Sequence, residues 1–93
     1  MARIRICLAG DIREIVGQKD LEMDIENPTI FGLIELLIRR YGERFRSAVF
    51  DESRGELRVV VVKNSREIDL PQGLATSLED GDRVMFLPPI AGG

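Results

Sequence analysis

The residues of this sequence most suited to a chemical reaction are its last six, Pro88-Pro89-Ile90-Ala91-Gly92-Gly93. The two prolines stiffen the backbone and favour extended geometry, so six residues from Pro88 span on the order of 20 Å when extended. Gly92 and Gly93 carry no side chain, and a carboxylate on Gly93 could therefore enter a channel too narrow for a β-carbon. The alternative is a frayed terminus, which most chain ends are. The pattern predicts a domain of residues 1–87 that carries a reactive tail, residues 88–93.

The rest of the chain lacks the residue sets of the common catalytic and metal sites. It has no histidine, which excludes Ser/His/Asp and Cys/His catalysis and removes the most frequent zinc ligand. Gly10 and Gly17 are isolated, so neither belongs to a glycine-rich phosphate loop. Asp80 and Asp82 around Gly81 offer too few oxygen ligands for calcium. We therefore predict no metal site, and no bound cofactor.

Charge and cysteine content restrict the partners and the compartment. Thirteen Lys and Arg against sixteen Asp and Glu give a net charge of −3, which disfavours nucleic acid as a partner. The longest apolar runs, such as Val59–Val62, are far shorter than the about 20 residues of a membrane span. A single cysteine, Cys7, cannot form an internal disulfide, and the N-terminus has no signal-peptide pattern. We expect a cytoplasmic protein with no membrane or nucleic-acid partner.

Cys7 itself has two interpretations. It lies on the opposite face of a predicted strand from Ile4, Ile6 and Leu8, which form the core side. It is either a reactive thiol or an inert structural one. A lone cysteine with no histidine beside it is more often inert, which favours the second interpretation.

Hydrophobic periodicity predicts the elements that position the tail. Residues 3–8 and 21–25 alternate with period two and form an opening hairpin with a long connection. A helix follows with Asn27 or Thr29 as its N-cap and Gly42 as its C-cap. Its apolar stripe comprises Ile30, Leu33, Ile34, Leu37, Ile38 and Tyr41.

The second half of the chain predicts three more strands. After a short helical or irregular segment at residues 45–50, strands are expected over 57–63, 66–70 and 83–87. Gly81 should supply a positive φ in the turn before the last strand, and Pro88 should end that strand. One helix across a mixed sheet is an α+β fold of the β-grasp kind, with the first and last strands parallel at the centre.

Two stretches near the C-terminus carry a family resemblance. Leu87-Pro-Pro-Ile-Ala-Gly-Gly93 and Leu78-Glu-Asp-Gly-Asp82-Arg-Val84 resemble the small subunit of molybdopterin synthase and other ubiquitin-like sulfur carriers of the MoaD/ThiS type. Thr29 before a Leu-rich helix and Val62-Lys63-Asn64 before a turn fit the same pattern. The resemblance spans nearly the whole chain and implies the β-grasp fold independently of the strand order.

The resemblance implies a carrier without catalytic residues of its own. Gly93 would be adenylated by a ubiquitin-activating-type enzyme and converted to a thiocarboxylate, with ATP and magnesium bound by that partner. Met85 and Leu87 would dock on partners. The segment that threads into the partner would comprise Pro88, Pro89, Ile90, Ala91 and Gly92.

Three functions remain open at this point. The chain length favours a molybdopterin synthase small subunit in molybdenum or tungsten cofactor synthesis, with a large subunit and a sulfur-donating enzyme as further partners. The alternatives are a ubiquitin-like modifier joined to lysines through Gly93, and a sulfur donor for tRNA thiolation or another pathway. The chain has only Lys19 and Lys63. This scarcity limits chains of the protein on itself and weakly favours the carrier.

Overall fold

The computed structural model describes residues 1–26 and 28–89. The strands of the main sheet are β1 Ala2–Leu8, β2 Asp20–Ile25, β5 Val60–Lys63, β6 Arg66–Ile68 and β7 Arg83–Leu87, and a separate pair consists of β3 Phe50–Asp51 and β4 Glu56–Leu57. The helices are α1 Gly10–Val16, α2 Ile30–Tyr41 and α3 Glu43–Val49, with a 3₁₀ turn at Gln72–Ala75.

The main sheet has the order β2-β1-β7-β5-β6. Its two central strands, β1 and β7, run parallel, with Ile6 opposite Val84, and the other neighbours are antiparallel. This confirms the predicted β-grasp fold with the first and last strands paired at the centre. The segment after Leu87 therefore starts from the middle strand of the sheet, which is hydrogen-bonded on both sides.

Helix α2 covers one face of this sheet as its apolar stripe predicts. The Gly32 N–H donates to the Thr29 hydroxyl oxygen at 2.9 Å, which makes Thr29 the N-cap; Asn27 lies outside the described residues. Gly42 ends the helix, and its N–H donates to the Ile38 carbonyl at 2.7 Å. The side chains that fill the space between helix and sheet include Leu33, Leu37, Ile4, Ile6, Val61, Val84 and Phe86, all fully buried.

The connection between β1 and β2 differs from the prediction, because it holds the helix α1 rather than an open loop. Ile12 and Val16, four residues apart, are both buried on the inner side of this helix. Ile15 also packs against the core, but a single i, i+3, i+4 set does not establish a period in so short a segment. Packing of α1 against α3 and β7 decides its conformation.

The predicted strand over 57–63 is wrong as a single element. Leu57 pairs with Phe50 in the small β3–β4 sheet, whereas Val60–Lys63 joins the main sheet beside β7. At the break the Arg58 N–H donates to the Val49 carbonyl at 2.8 Å, which turns the chain toward the end of α3. The apolar run Leu57–Val62, interrupted only by Arg58, shows no break in its pattern, so the change of partner strand between Leu57 and Val60 is visible only in the tertiary structure. The return strand ends at Ile68 rather than at Leu70.

No helix within the described ranges has the length and apolar character needed to cross a membrane.

Candidate functional site

The side chains of β7 alternate between the two faces of the sheet. Val84 and Phe86 are fully buried under the helices, and Met85 and Leu87 lie half-buried on the opposite, outer face. The strand register places Met85 opposite Val62 and Leu87 opposite Val60. These four residues form what we call the apolar patch. It contains both residues that the sequence predicted for docking and adds two from β5.

Cys7 lies beside this patch, opposite Met85 across the parallel β1–β7 pair. It is on the outer face, as its phase in the strand predicts, yet it is only 6% exposed. Side chains of the two neighbouring strands can cover a small residue at the centre of a sheet. The alternation along one strand gives the face on which a residue lies but not whether its neighbours cover it. The nearby Cys7 sulfur raises the pKa of the Arg83 guanidinium. The thiol therefore has one cationic neighbour that the sequence did not predict.

Charged side chains border the patch on the β1–β2 side. Arg3 pairs with Glu22 at 3.1 Å and with Asp24 at 3.3 Å, and Arg5 lies 3.8 Å from Glu22. The hydrogen bond from Arg3 to Glu22, and then the charge of Asp24, raise the pKa of the Arg3 guanidinium. These pairs are exposed and contribute little to stability. They present a polar border beside an apolar surface, which is the arrangement of many protein interfaces.

The turn before β7 is held by the Asp82 carboxylate. It accepts hydrogen bonds from the Glu79 N–H at 2.8 Å and from the Asn64 side-chain amide at 2.9 Å, and lies 3.7 Å from the Lys63 ammonium. Burial alone would raise the pKa of Asp82, but the hydrogen bonds from Glu79 and Asn64 and the charge of Lys63 outweigh it, and the pKa is lowered. Gly81 has φ +89°, as the sequence predicted for this turn.

The other end of β7 leads into Pro88 and Pro89, the first two residues of the predicted tail. The Ala9 N–H donates to the Phe86 carbonyl at 3.2 Å. Pro88 is half-buried next to Gly10, and Pro89 is exposed. Ile90, Ala91, Gly92 and Gly93 lie outside the described residues, so the roles predicted for them stay predictions.

Across residues 1–26 and 28–89, no cluster of three or more His, Cys, Asp or Glu side chains could hold a metal ion.

Two features of the site escaped the sequence analysis. Val60 and Val62 lie in a run of four valines whose faces are ambiguous by pattern, and the contact between Gly10 and Pro88 joins opposite ends of the chain. No sequence signal pointed to either feature, because four identical residues in a row show no alternation.

The chain matches the family model described as ThiS over residues 6–93. It is 32% identical to small archaeal modifier protein 3 of Haloferax volcanii, over 87% of this chain and 88% of that protein. It is 30% identical to the molybdopterin synthase sulfur carrier subunit of Escherichia coli, over 97% of this chain and 99% of that protein.

Among solved structures, the chain resembles the solution structure of a Haloferax volcanii protein with a TM-score of 0.77 and 32% identity. The match covers 99% of this chain and 87% of the other. The family match, the relatives and the fold agree. The chain belongs to the ThiS family of small ubiquitin-like sulfur carriers and modifiers.

Proposed function

We propose that this protein is a sulfur carrier whose Gly93 carboxylate is adenylated and then converted to a thiocarboxylate, and that it serves as the small subunit of a molybdopterin synthase. The observation that carries the proposal is the position of β7. This central strand, bonded on both sides, ends at Leu87, six residues before Gly93, and Pro89, two residues further on, is exposed. A hydrogen-bonded strand, a short proline-stiffened connection and two terminal residues without side chains could together present a carboxylate inside another protein.

The chemistry explains why a carrier needs no catalytic side chains. A carboxylate oxygen of Gly93 attacks the α-phosphorus of ATP, and pyrophosphate leaves. Hydrosulfide, sulfur already at the sulfide oxidation level and supplied by a donor enzyme, attacks the carbonyl carbon of the resulting acyl-adenylate; the bond to the AMP oxygen breaks, AMP leaves, and loss of the sulfur proton gives the thiocarboxylate. The activating enzyme contributes ATP, magnesium and the groups that stabilise the developing charge. This chain contributes the carboxylate and its placement.

The apolar patch is the surface that would hold the carrier on its partners. Fixing one backbone residue costs roughly 1–2 kcal/mol, so ordering a tail in a channel needs compensation from contacts elsewhere. Met85 and Leu87 are on β7, the strand that leads into the tail, and Val60 and Val62 extend the surface sideways onto β5. Docking through this patch would place the exit at Pro88 at the edge of the interface.

A second candidate function is favoured by the relative named small archaeal modifier protein 3. A lysine amine could attack the same activated carbonyl, forming an isopeptide bond and releasing the leaving group. On this chain Lys19 is exposed, whereas Lys63 lies against Asp82 at 3.7 Å and is one-quarter exposed. Chains of the protein on itself would therefore form through Lys19. Delivery of the thiocarboxylate sulfur to tRNA would use the same first two steps.

Mass spectrometry of the protein from its own host distinguishes these functions. A carrier should end at Gly93, and a fraction should have one oxygen of that carboxylate replaced by sulfur. A modifier should leave residues 84–93 on lysines of other proteins after trypsin, because the last tryptic site is Arg83. Loss of molybdopterin on gene deletion, with tRNA thiolation intact, supports the synthase role. Intact molybdopterin in the deletion strain overturns it.

Adenylation in vitro tests the role of Gly93 directly. Deleting Gly93, or adding one alanine after it, should abolish ATP-dependent adenylation, because the reacting carbon is then misplaced. The matched control carries one added residue at the N-terminus and should react like the wild type. Stability should change by less than about 1 kcal/mol in all three variants, since none alters the core. Wild-type rates in the two C-terminal variants would overturn the assignment of Gly93.

A further inference from the structure

Gly10 lies where the pairing of the two central strands ends. It is the first residue of α1 and follows β1 after a single residue, Ala9. The hydrogen bond from the Ala9 N–H to the Phe86 carbonyl continues the β1–β7 ladder. Pro88 has no N–H and cannot continue that ladder. Beyond Phe86 the two segments that follow β1 and β7 therefore meet through van der Waals contact between Gly10 and the Pro88 ring.

Two separate features require glycine at position 10. A β-carbon there would lie 2.8 Å from Cγ and 3.2 Å from Cδ of Pro88, and real β-carbons essentially never approach within 3.0 Å. The backbone also has φ +62°, which L residues rarely adopt. The first feature concerns the tail, and the second concerns only the local turn. Experiments can therefore separate them.

We infer that Gly10 is a positioning residue for the reactive tail: its bare backbone seats the Pro88 ring and so sets the direction in which the chain leaves the sheet. This inference rests on the proposed function, in which Gly93 must reach a reaction centre. Five extended residues beyond Pro88 reach at most about 17 Å, so a rotation of about 10° at Pro88 moves the far end by about 3 Å. Proline at position 89 locks a further φ angle and transmits the direction.

The chain offers a matched control at the other end of the same helix. Gly17 follows α1, has φ +83°, and a β-carbon there would meet nothing within 4 Å. Gly17→Ala therefore introduces the same methyl group and comparable backbone strain without touching the tail. Gly10→Ala introduces both the strain and the clash with Pro88. The double variant Gly10→Ala/Pro88→Ala keeps the strain and relieves the clash.

The experiment measures adenylation of Gly93 by the activating enzyme of the same host at varied carrier concentration. We expect Gly10→Ala to lower kcat about tenfold, because small displacements of reacting groups have large effects on rate. KM should change less than about twofold, since the apolar patch is untouched, and Gly17→Ala should match the wild type within the same range. The double variant should recover the kcat of Pro88→Ala alone. One-bond Cα–Hα residual dipolar couplings of Pro88 and Pro89 should change in Gly10→Ala and stay unchanged in Gly17→Ala.

Each outcome bears on the inference. If the wild type reacts and Gly10→Ala has the kcat of Gly17→Ala, or if only its KM rises, Gly10 does not position the tail and the proposed function stands. If the wild type is not adenylated, the proposed function fails, and the couplings decide whether Gly10 seats Pro88. If Gly10→Ala does not fold, Pro88→Ala removes the same contact by changing its other partner. Altered residual dipolar couplings of Pro89 then support the role of the Gly10–Pro88 contact, and unchanged couplings overturn it.

Discussion

The carboxylate of Asp82 should be one of the largest polar contributors to stability near the site. Asp82→Ala removes the acceptor of two hydrogen bonds, at 2.8 Å from the Glu79 N–H and 2.9 Å from the Asn64 amide, and the partner of Lys63. The side chain is only 13% exposed, so water replaces these contacts poorly. Each hydrogen bond to a charged group contributes about 1.5–3 kcal/mol, so losing two should lower the free energy of unfolding by about 3 kcal/mol or more. A domain of this size has roughly 5–14 kcal/mol in total.

Asp80→Ala is the matched control for this substitution. It removes a carboxylate from the same turn, but that carboxylate accepts one hydrogen bond, from the Arg3 N–H at 2.8 Å, in an exposed position. Water can replace it, so the loss should be about 1 kcal/mol or less. Urea denaturation followed by far-UV circular dichroism at neutral pH measures both variants. Equal losses in the two variants would contradict the role of the Asp82 network.

The pH dependence gives a second, independent test of Asp82. Its pKa is lower in the folded protein than the ordinary value of 3.8, so its contribution is fully present above that value. The contribution is lost as the pH falls through the folded pKa. The difference in unfolding free energy between the wild type and Asp82→Ala should therefore be constant near neutrality and shrink below 3.8. A difference that persists undiminished in acid would refute the electrostatic explanation.

Three other substitutions test the docking patch, the thiol and the helix cap. Leu87→Asp should weaken binding to the activating enzyme and to the large subunit by at least about tenfold, because it places a charge in an apolar contact. Phe31→Asp, an equivalent change on the exposed surface of α2, is the control and should bind normally. Cys7→Ser should retain full sulfur transfer in the reconstituted reaction; loss of transfer in a folded variant would reveal a second sulfur site. Thr29→Ala should lower the unfolding free energy by about 1 kcal/mol through loss of the cap on Gly32, measured by urea denaturation, and an unchanged value would mean that water replaces the hydroxyl.

Local periodicity predicted the elements that lead to the site. The alternation of residues 83–87 identified β7 with its observed bounds, and Gly81 has the positive φ expected of it. The apolar stripe of α2 and its Thr29 cap were equally visible, because a helix repeats every 3.6 residues and a strand every two. Segments too short to show a period, α1 and the β3–β4 pair, were missed.

The sequence by itself determined the β-grasp fold and the two faces of β7, and it predicts a tail that ends in two glycines. Each of these follows from residue types and spacings over a few neighbouring positions. The tertiary structure decided that Cys7 is covered, that Val60 and Val62 extend the surface of Met85 and Leu87, and that Gly10 lies against Pro88. These facts depend on which strands become neighbours and in what register. The alternating pattern restricts the register of each strand, but which strands pair is decided by burial of the whole core.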